Sequence, residues 1–261
     1  MERLKVLITV KTYPQPSHSY EEIVCTAGVT EDGRLVRLYP VPFRFLSDSQ
    51  QYAKYQWIEV DATRNPKDWR PESYRPNIES LRPTGQKLGT EMGWAARKDI
   101  VLEHLSESVK DLWDKQREHK TSLGVVRPAE VTALTITPCD DEWDPKQLAS
   151  LRQGKLMGPQ ITPLPKIPYR FRYRFRCADE RCKGHHSMID DWELGALYAK
   201  VNRDCGTDAA LSAVRETFHG RLCGPNVDTH FFMGNMKRHP NAWYVLGVFW
   251  PPKQDQMQME F

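Results

Sequence analysis

Tyr169-Arg170-Phe171-Arg172-Tyr173-Arg174-Phe175-Arg176 alternates aromatic and arginine residues without a break. Successive side chains of a β-strand point to opposite faces, whereas a helix would scatter these residues around its circumference. The stretch is therefore predicted to be a strand with four aromatics on one side and four guanidiniums on the other. The aromatic side belongs against a core. The arginine side is a row of forked cations suited to phosphate oxygens. Directly after it comes Cys177-Ala-Asp-Glu-Arg-Cys182-Lys-Gly-His185-His186, then Ile189-Asp190-Asp191-Trp192-Glu193. A basic strand, two thiols with two imidazoles, and the Asp190/Asp191/Glu193 cluster thus share 25 residues.

Working outward, the rest of the chain reads as many short strands. Residues 4–10, 22–29, 34–39, 56–62 and 131–137 alternate or run apolar, and Asp32-Gly33 marks a hairpin tip. Residues 229–235 and 243–250 form a terminal hairpin that ends at Pro251-Pro252. The spacing of Ile100, Leu102, Leu105, Val109, Leu112 and Trp113 predicts one long helix over 97–119, and helices are also expected over 190–201 and 208–218. Pro163–Pro168 leads into the arginine strand, and the polar tail from Lys253 is expected to fray. The expected architecture is α+β and β-rich: two small barrels or sandwiches, of OB type by preference, with added helices. An N-terminal domain would span 1–125, ending in the long helix, and a C-terminal one 126–261, carrying the Cys/His knuckle.

With 261 residues, one or two domains are expected. The net charge of +3 and pI near 8.5 permit an anionic partner without demanding one. No apolar run spans a bilayer and no secretory leader is apparent, so a cytoplasmic, membrane-free chain with reduced thiols is expected. Phosphate-loop, dinucleotide and nucleophile-elbow motifs are absent, which removes most of the case for a nucleotide cofactor or a serine hydrolase.

Cys177, Cys182, His185 and His186 offer up to four zinc ligands, with Cys205, His219 or Cys223 as alternatives for the fourth. A structural zinc fits better than a catalytic one. Asp190, Asp191 and Glu193 stand at a helix start, where carboxylates cap and complement the dipole. One of them facing a pocket could activate water or stabilise a sugar cation. Asp191 and Glu193 are the first candidates and Asp190 the third.

Arg170, Arg172, Arg174 and Arg176 head the nucleic-acid contacts. The loop with Trp69, Arg70, Tyr74 and Arg75 interleaves aromatics and cations, as base stacking and phosphate contact require. Arg37, Arg44 and Lys237 extend the basic set, and Asn226 and Asn235 are amides able to read base edges. Asp228 with His230 is an acid/base pair on paper, and Lys11-Thr12-Tyr13 a phosphate-binding strand end. Turn and strand-end chemistry explains both equally well.

Lys11-Thr-Tyr-Pro, Val24-Cys-Thr-Ala-Gly28, Val36-Arg-Leu-Tyr-Pro-Val-Pro-Phe-Arg44, Lys54-Tyr-Gln-Trp-Ile58 and Arg70-Pro-Glu-Ser-Tyr74, with the Cys177/Cys182/His185 knuckle and Phe232-Met-Gly-Asn235, resemble bacterial proteins described as containing a dual OB-fold domain. The resemblance implies two OB-type barrels and contact with nucleic acid, DNA foremost. It also implies an antiviral setting, in which a small protein without a nucleotide cofactor could act as a DNA glycosylase on a modified phage base. Such an enzyme flips its target out of the stack. A non-catalytic DNA/RNA-binding module and a protein-interaction or ligand-sensing barrel with structural zinc are the alternatives.

Overall fold

The computed structural model describes residues 1–17, 21–140, 143 and 166–253. The expectations for 163–165, for the tail beyond Lys253 and for residues 18–20 lie outside the described residues.

Strand β1 (Glu2–Lys11) is followed by the short β2 (Gln15–Ser17), β3 (Glu21–Thr30) and β4 (Leu35–Val41), and then by β5 (Gln56–Arg64), β6 (Ser73–Pro76) and β7 (Arg82–Lys87). The Asp32-Gly33 tip joins β3 to β4 as expected, with Gly33 at a φ of 80° that favours glycine. β1 pairs with β3, β3 with β4, β4 with β6, β6 with β5, and β5 back with β1, which closes a five-stranded barrel. All of these pairings are antiparallel except β4 with β6. Val6, Ile8, Val36, Leu38, Ile58 and Val60 point inward and are buried, following the period of two in their strands. Strand β6 is not legible in the sequence. Pro71 precedes it and Pro76 is its last residue, and a proline cannot donate to a sheet ladder.

The long helix expected over 97–119 is two. Helix α1 (Glu91–Val101) runs into a 3₁₀ turn at Leu102–His104 and strand β8 (Leu105–Ser106); helix α2 (Val109–His119) then starts afresh. Ser108 is the reason: its hydroxyl accepts from the Asp111 N–H at 3.1 Å and caps α2. Next come β9 (Leu123–Val126), β10 (Glu130–Pro138), β11 (Tyr169–Arg176), β12 (His185–Met188), α3 (Trp192–Cys205), α4 (Thr207–Arg215), β13 (His230–Met236) and β14 (His239–Phe249). They form a three-stranded sheet in the order β10-β11-β12 and a four-stranded sheet in the order β14-β13-β9-β8. Because β8 and β9 pair within that second sheet, α2 belongs with the C-terminal half.

The aromatic side of β11 is the heart of this half. Phe171, Tyr173 and Phe175 are buried, and Tyr173 stacks on Phe231 with ring centroids 4.8 Å apart. Burial of each phenylalanine contributes about 1.5–3 kcal/mol. A third apolar cluster, with Val10, Tyr55, Leu123, Phe232, Leu246 and Phe249, joins the barrel to the C-terminal sheets. The protein is thus β-rich α+β, with one closed small barrel and further sheets and helices beside it. Among the described residues no helix is long and apolar enough to cross a membrane.

Candidate nucleic-acid interface and cavity

The arginine side of β11 is outward. Arg170, Arg174 and Arg176 are exposed and Arg172 half-buried. Six strand steps place Arg170 roughly 20 Å from Arg176. Arg172 Nη1 donates to Thr137 Oγ1 at 3.2 Å, and no carboxylate among the described residues pairs with any of the four. At one end Arg174 and Arg176 line a hollow with Lys183 and His186. At the other end Arg170 lines a separate cavity.

The knuckle gathers three of its four expected ligands. His185 Nε2 lies 3.4 Å from Cys177 Sγ and 3.3 Å from Cys182 Sγ. Zinc bonds of about 2.3 Å to sulfur and 2.0–2.1 Å to nitrogen, at a tetrahedral angle, separate the two ligand atoms by about 3.5 Å. The three ligand atoms therefore fit a metal ion. His186 does not join them. It follows His185 in β12, so its ring turns to the opposite face, where Nε2 meets Thr135 Oγ1 at 2.8 Å. Cys205, His219 and Cys223 are also elsewhere. Cys223 Sγ donates to the Phe218 carbonyl, and His219 approaches the Val131 carbonyl. Burial pushes the Cys177 thiol up to about 11 and lowers His185, keeping the imidazole in the neutral form that metals bind.

The three carboxylates divide their tasks. Asp191 is the N-cap of α3: Oδ1 accepts from the Glu193 N–H at 2.7 Å. Its Oδ2 is buried with no hydrogen-bond partner among the described residues and forms an ion pair with Lys54 Nζ at 3.9 Å. Burial raises its pKa, and the Lys54 charge pulls it back. Glu193 points outward, is more than half exposed, and meets Lys54 at 3.0 Å. Burial opposes the charge on Lys54, but Asp191 and Glu193 outweigh that and hold it protonated. Asp190 faces the cavity. Burial, then repulsion from Asp191, pushes it up to about 7, while the Tyr13 N–H donates to it and opposes the shift. Burial holds both Asp190 and Asp191 well above the ordinary carboxylate range, and of the two Asp190 is the one that does not cap α3.

The cavity holds about 330 Å³ and lies where the barrel meets the C-terminal half. Tyr13 and Gln15 come from the barrel side; Tyr169, Arg170, Asp190, Gly195, Asn235 and Tyr244 come from the other. Gly195 is required on α3, because an added Cβ would collide with the Tyr13 ring. Tyr13, Asp191 and Asn235 line this cavity, and Tyr13 Oη, Asp191 Oδ2 and Asn235 Oδ1 are buried with no hydrogen-bond partner among the described residues. Gly195 carries no sequence signal that would assign it to a site, and Tyr13 reads only as part of a strand end able to bind phosphate. Asn235 was found as an amide; its place in the wall was not.

Other expected contacts are spent inside the molecule. Arg37 is 2% exposed and donates to Ser73 Oγ, Ser122 Oγ and the Ser122 carbonyl across the seam between the halves. It lies on the outer face of β4, as the alternation predicts, but the C-terminal half covers that face. Arg70 is buried against Asp68 and donates to the Asn235 carbonyl at 2.8 Å. Arg44 pairs with Glu22 at 2.7 Å. Tyr74 is buried with its hydroxyl accepting from Arg34, and Trp69 is half-buried, donating from Nε1 to the Lys237 carbonyl. Arg75, Asn226 and Lys237 remain exposed, away from the β11 row in the fold's pairings. Asp228 and His230 are brought together, with Nε2 3.8 Å from Oδ2, but His230 is buried and the other Asp228 oxygen pairs with Arg127 at 2.7 Å. Lys11 Nζ lies 4.2 Å from the Phe43 ring centroid, with Trp192 and Tyr52 beside it. Burial lowers it to about 8.

No curated protein matches the chain. Residues 2–103 match DUF8758, described as a domain of unknown function. Residues 105–261, more than half the chain, match the domain of unknown function DUF8757, and the chain belongs to that family.

Proposed function

We propose that this protein acts on nucleic acid, with DNA foremost: phosphates lie along the arginine side of β11 and one base enters the cavity beside Asp190. The observation that carries this is a continuity. The row of guanidiniums without carboxylate partners among the described residues ends at Arg170, which is itself part of the cavity wall. A row of roughly 20 Å covers about six nucleotides of one duplex strand at 3.4 Å each. The five-stranded ring, with its single parallel pairing, supports an OB-type assignment for the barrel. The ligand distances of the knuckle support a structural zinc that ties β11 to β12.

The most concrete activity is that of a DNA glycosylase. A flipped base would leave the stack and enter the cavity. Asp190 would take the proton from a water molecule as its oxygen bonds to the sugar C1′. The C1′–N bond breaks, and its electron pair leaves with the base, which takes up a proton. The roles first given to Asp191 and Glu193 pass to Asp190, since one caps α3 and the other faces solvent. Purified protein is to be incubated with ordinary and base-modified phage DNA, and abasic sites and released bases measured. Base release that disappears in Asp190→Asn is expected; base release that survives that change removes Asp190 from the chemistry. Engagement of two of the three carboxylates elsewhere favours a second outcome, a binding module without catalysis. It would show as salt-dependent DNA affinity with no base released.

A further inference from the structure

We infer that the β11 face selects paired over unpaired nucleic acid and holds a duplex by its backbone, without regard to sequence. This rests on the proposal that phosphates lie along β11, and it names the form of nucleic acid that the row accepts.

Strand register fixes what shares the outer face with the arginines. Thr137 stands across from Arg170, Thr135 and Met188 flank Arg172, Ala133 and His186 flank Arg174, and Glu130 stands across from Arg176. The face is therefore built of guanidiniums and hydroxyls, with one carboxylate at its end. The single ring on it is His186, tied through Nε2 to Thr135 Oγ1 at 2.8 Å. The aromatics of β11 are turned the other way: Phe171, Tyr173 and Phe175 are buried, and Tyr169 packs on Tyr198 with ring centroids 5.9 Å apart.

Two effects of opposite sign decide between a duplex and a single strand. Stacking of unpaired bases on aromatic rings favours the single strand by about 1–3 kcal/mol per base, and a sheet that uses it carries those rings outward. Charge favours the duplex, which carries the denser row of phosphates: each one neutralised contributes about 0.9 to the salt slope, against about 0.7 on a single strand. On this face the four guanidiniums are present and the stacking rings are not, so charge wins.

The width of the sheet then decides between groove and backbone. The major groove is about 12 Å wide and admits a helix or a two-stranded ribbon. β11 is the middle of three strands. Its neighbours, about 4.8 Å to either side, set the outer backbones about 10 Å apart before any side chain is added. The bridge from Ile189 to Val245 extends the layer beyond β12. The flanks meet the groove walls first, which leaves the guanidiniums on phosphates, where contacts position the partner and carry no sequence information.

The test measures the affinity of the full-length protein, by fluorescence anisotropy, for a labelled duplex of about 20 base pairs, for each of its separated strands, and for a second duplex of scrambled sequence. The duplex is expected to bind about tenfold tighter than either strand, and the two duplexes to agree within about twofold. Arg172→Gln combined with Arg174→Gln should reduce the duplex salt slope by about 1.8 and narrow the gap between duplex and strand. Thr137→Trp adds a ring at an exposed position on the face and should tighten single-strand binding about fivefold, with duplex binding unchanged. Single-strand binding as tight as duplex binding, a tenfold preference between the two duplexes, duplex binding unmoved by the paired arginine change, or single-strand binding unmoved by Thr137→Trp overturns the inference. A single-strand preference that the arginine change abolishes overturns the inference alone; binding to neither form overturns the nucleic-acid proposal with it.

Discussion

Arg37 and Arg172 carry the same group on the same kind of element, yet their surroundings give them opposite work. Arg37 lies on the outer face of β4, where Ser73 and Ser122 consume its donors and the C-terminal half shuts out water. Arg172 lies on the outer face of β11, bonded only to Thr137 among the described residues, beside three exposed arginines. Alternation places both correctly on the face away from their own core. What it cannot supply is whether a second layer covers that face. An arginine on a strand is a binding residue or a joint according to what lies above it.

The comparison breaks most sharply at the joint. Arg37→Ala removes three buried hydrogen bonds and the packing of a buried side chain at the seam, and should lower stability by roughly 3–5 kcal/mol, read from denaturant unfolding. A loss under 1 kcal/mol would make Arg37 no different from the β11 row.

Metal removal should come next. Saturating zinc at about 100 times its dissociation constant adds about 2.7 kcal/mol. A chelator should therefore lower the melting temperature of the native chain and not that of Cys182→Ser, and metal analysis should find one ion per chain. The same drop in both proteins would rule out the knuckle as a metal centre.

Asp190 extends the contrast to carboxylates and sets a pH dependence. Its proton is held more tightly in the fold, at about 7, than in the unfolded chain, near the ordinary 3.8. Between those values the folded state keeps a proton that the unfolded state has released. Stability should therefore fall as pH rises from about 4 to 7, by up to about 1.4 kcal/mol per unit. Asp190→Asn should flatten that slope in melts taken across the range; an unchanged slope would assign the dependence to other groups.

The smallest effect on stability belongs to the row itself. Arg172→Ala and Arg174→Ala should each stay within about 0.5 kcal/mol of the parent. If the row binds DNA, each should also reduce the slope of log affinity against log salt by about 0.9. Unchanged slopes would leave the exposed arginines as solvated surface.

The β11 strand was legible because aromatic and cationic residues differ so strongly that a period of two is unmistakable. Val36 and Leu38 inside the barrel, and the Asp32-Gly33 hairpin, were legible for the same local reasons. The same alternation, applied to His185 and His186, already places them on opposite faces of β12. Helix α2 was merged with α1 because apolar spacing continues through Ser108, and only the cap with Asp111 marks the break. The cavity was out of reach in another way: Tyr13, Arg170, Asp190, Gly195 and Asn235 are brought together by long-range pairing that no window of sequence contains.

That cavity has one further consequence. Its wall mixes Tyr13 and Gln15 with residues beyond 138, and its Asn235 side is moored to the barrel loop through Arg70. Severing the chain between the two family regions would yield fragments that each own half a vessel. Whatever the vessel holds, the genetic unit able to hold it is the fused pair, and mixing the two fragments should restore binding only to the extent that they dock.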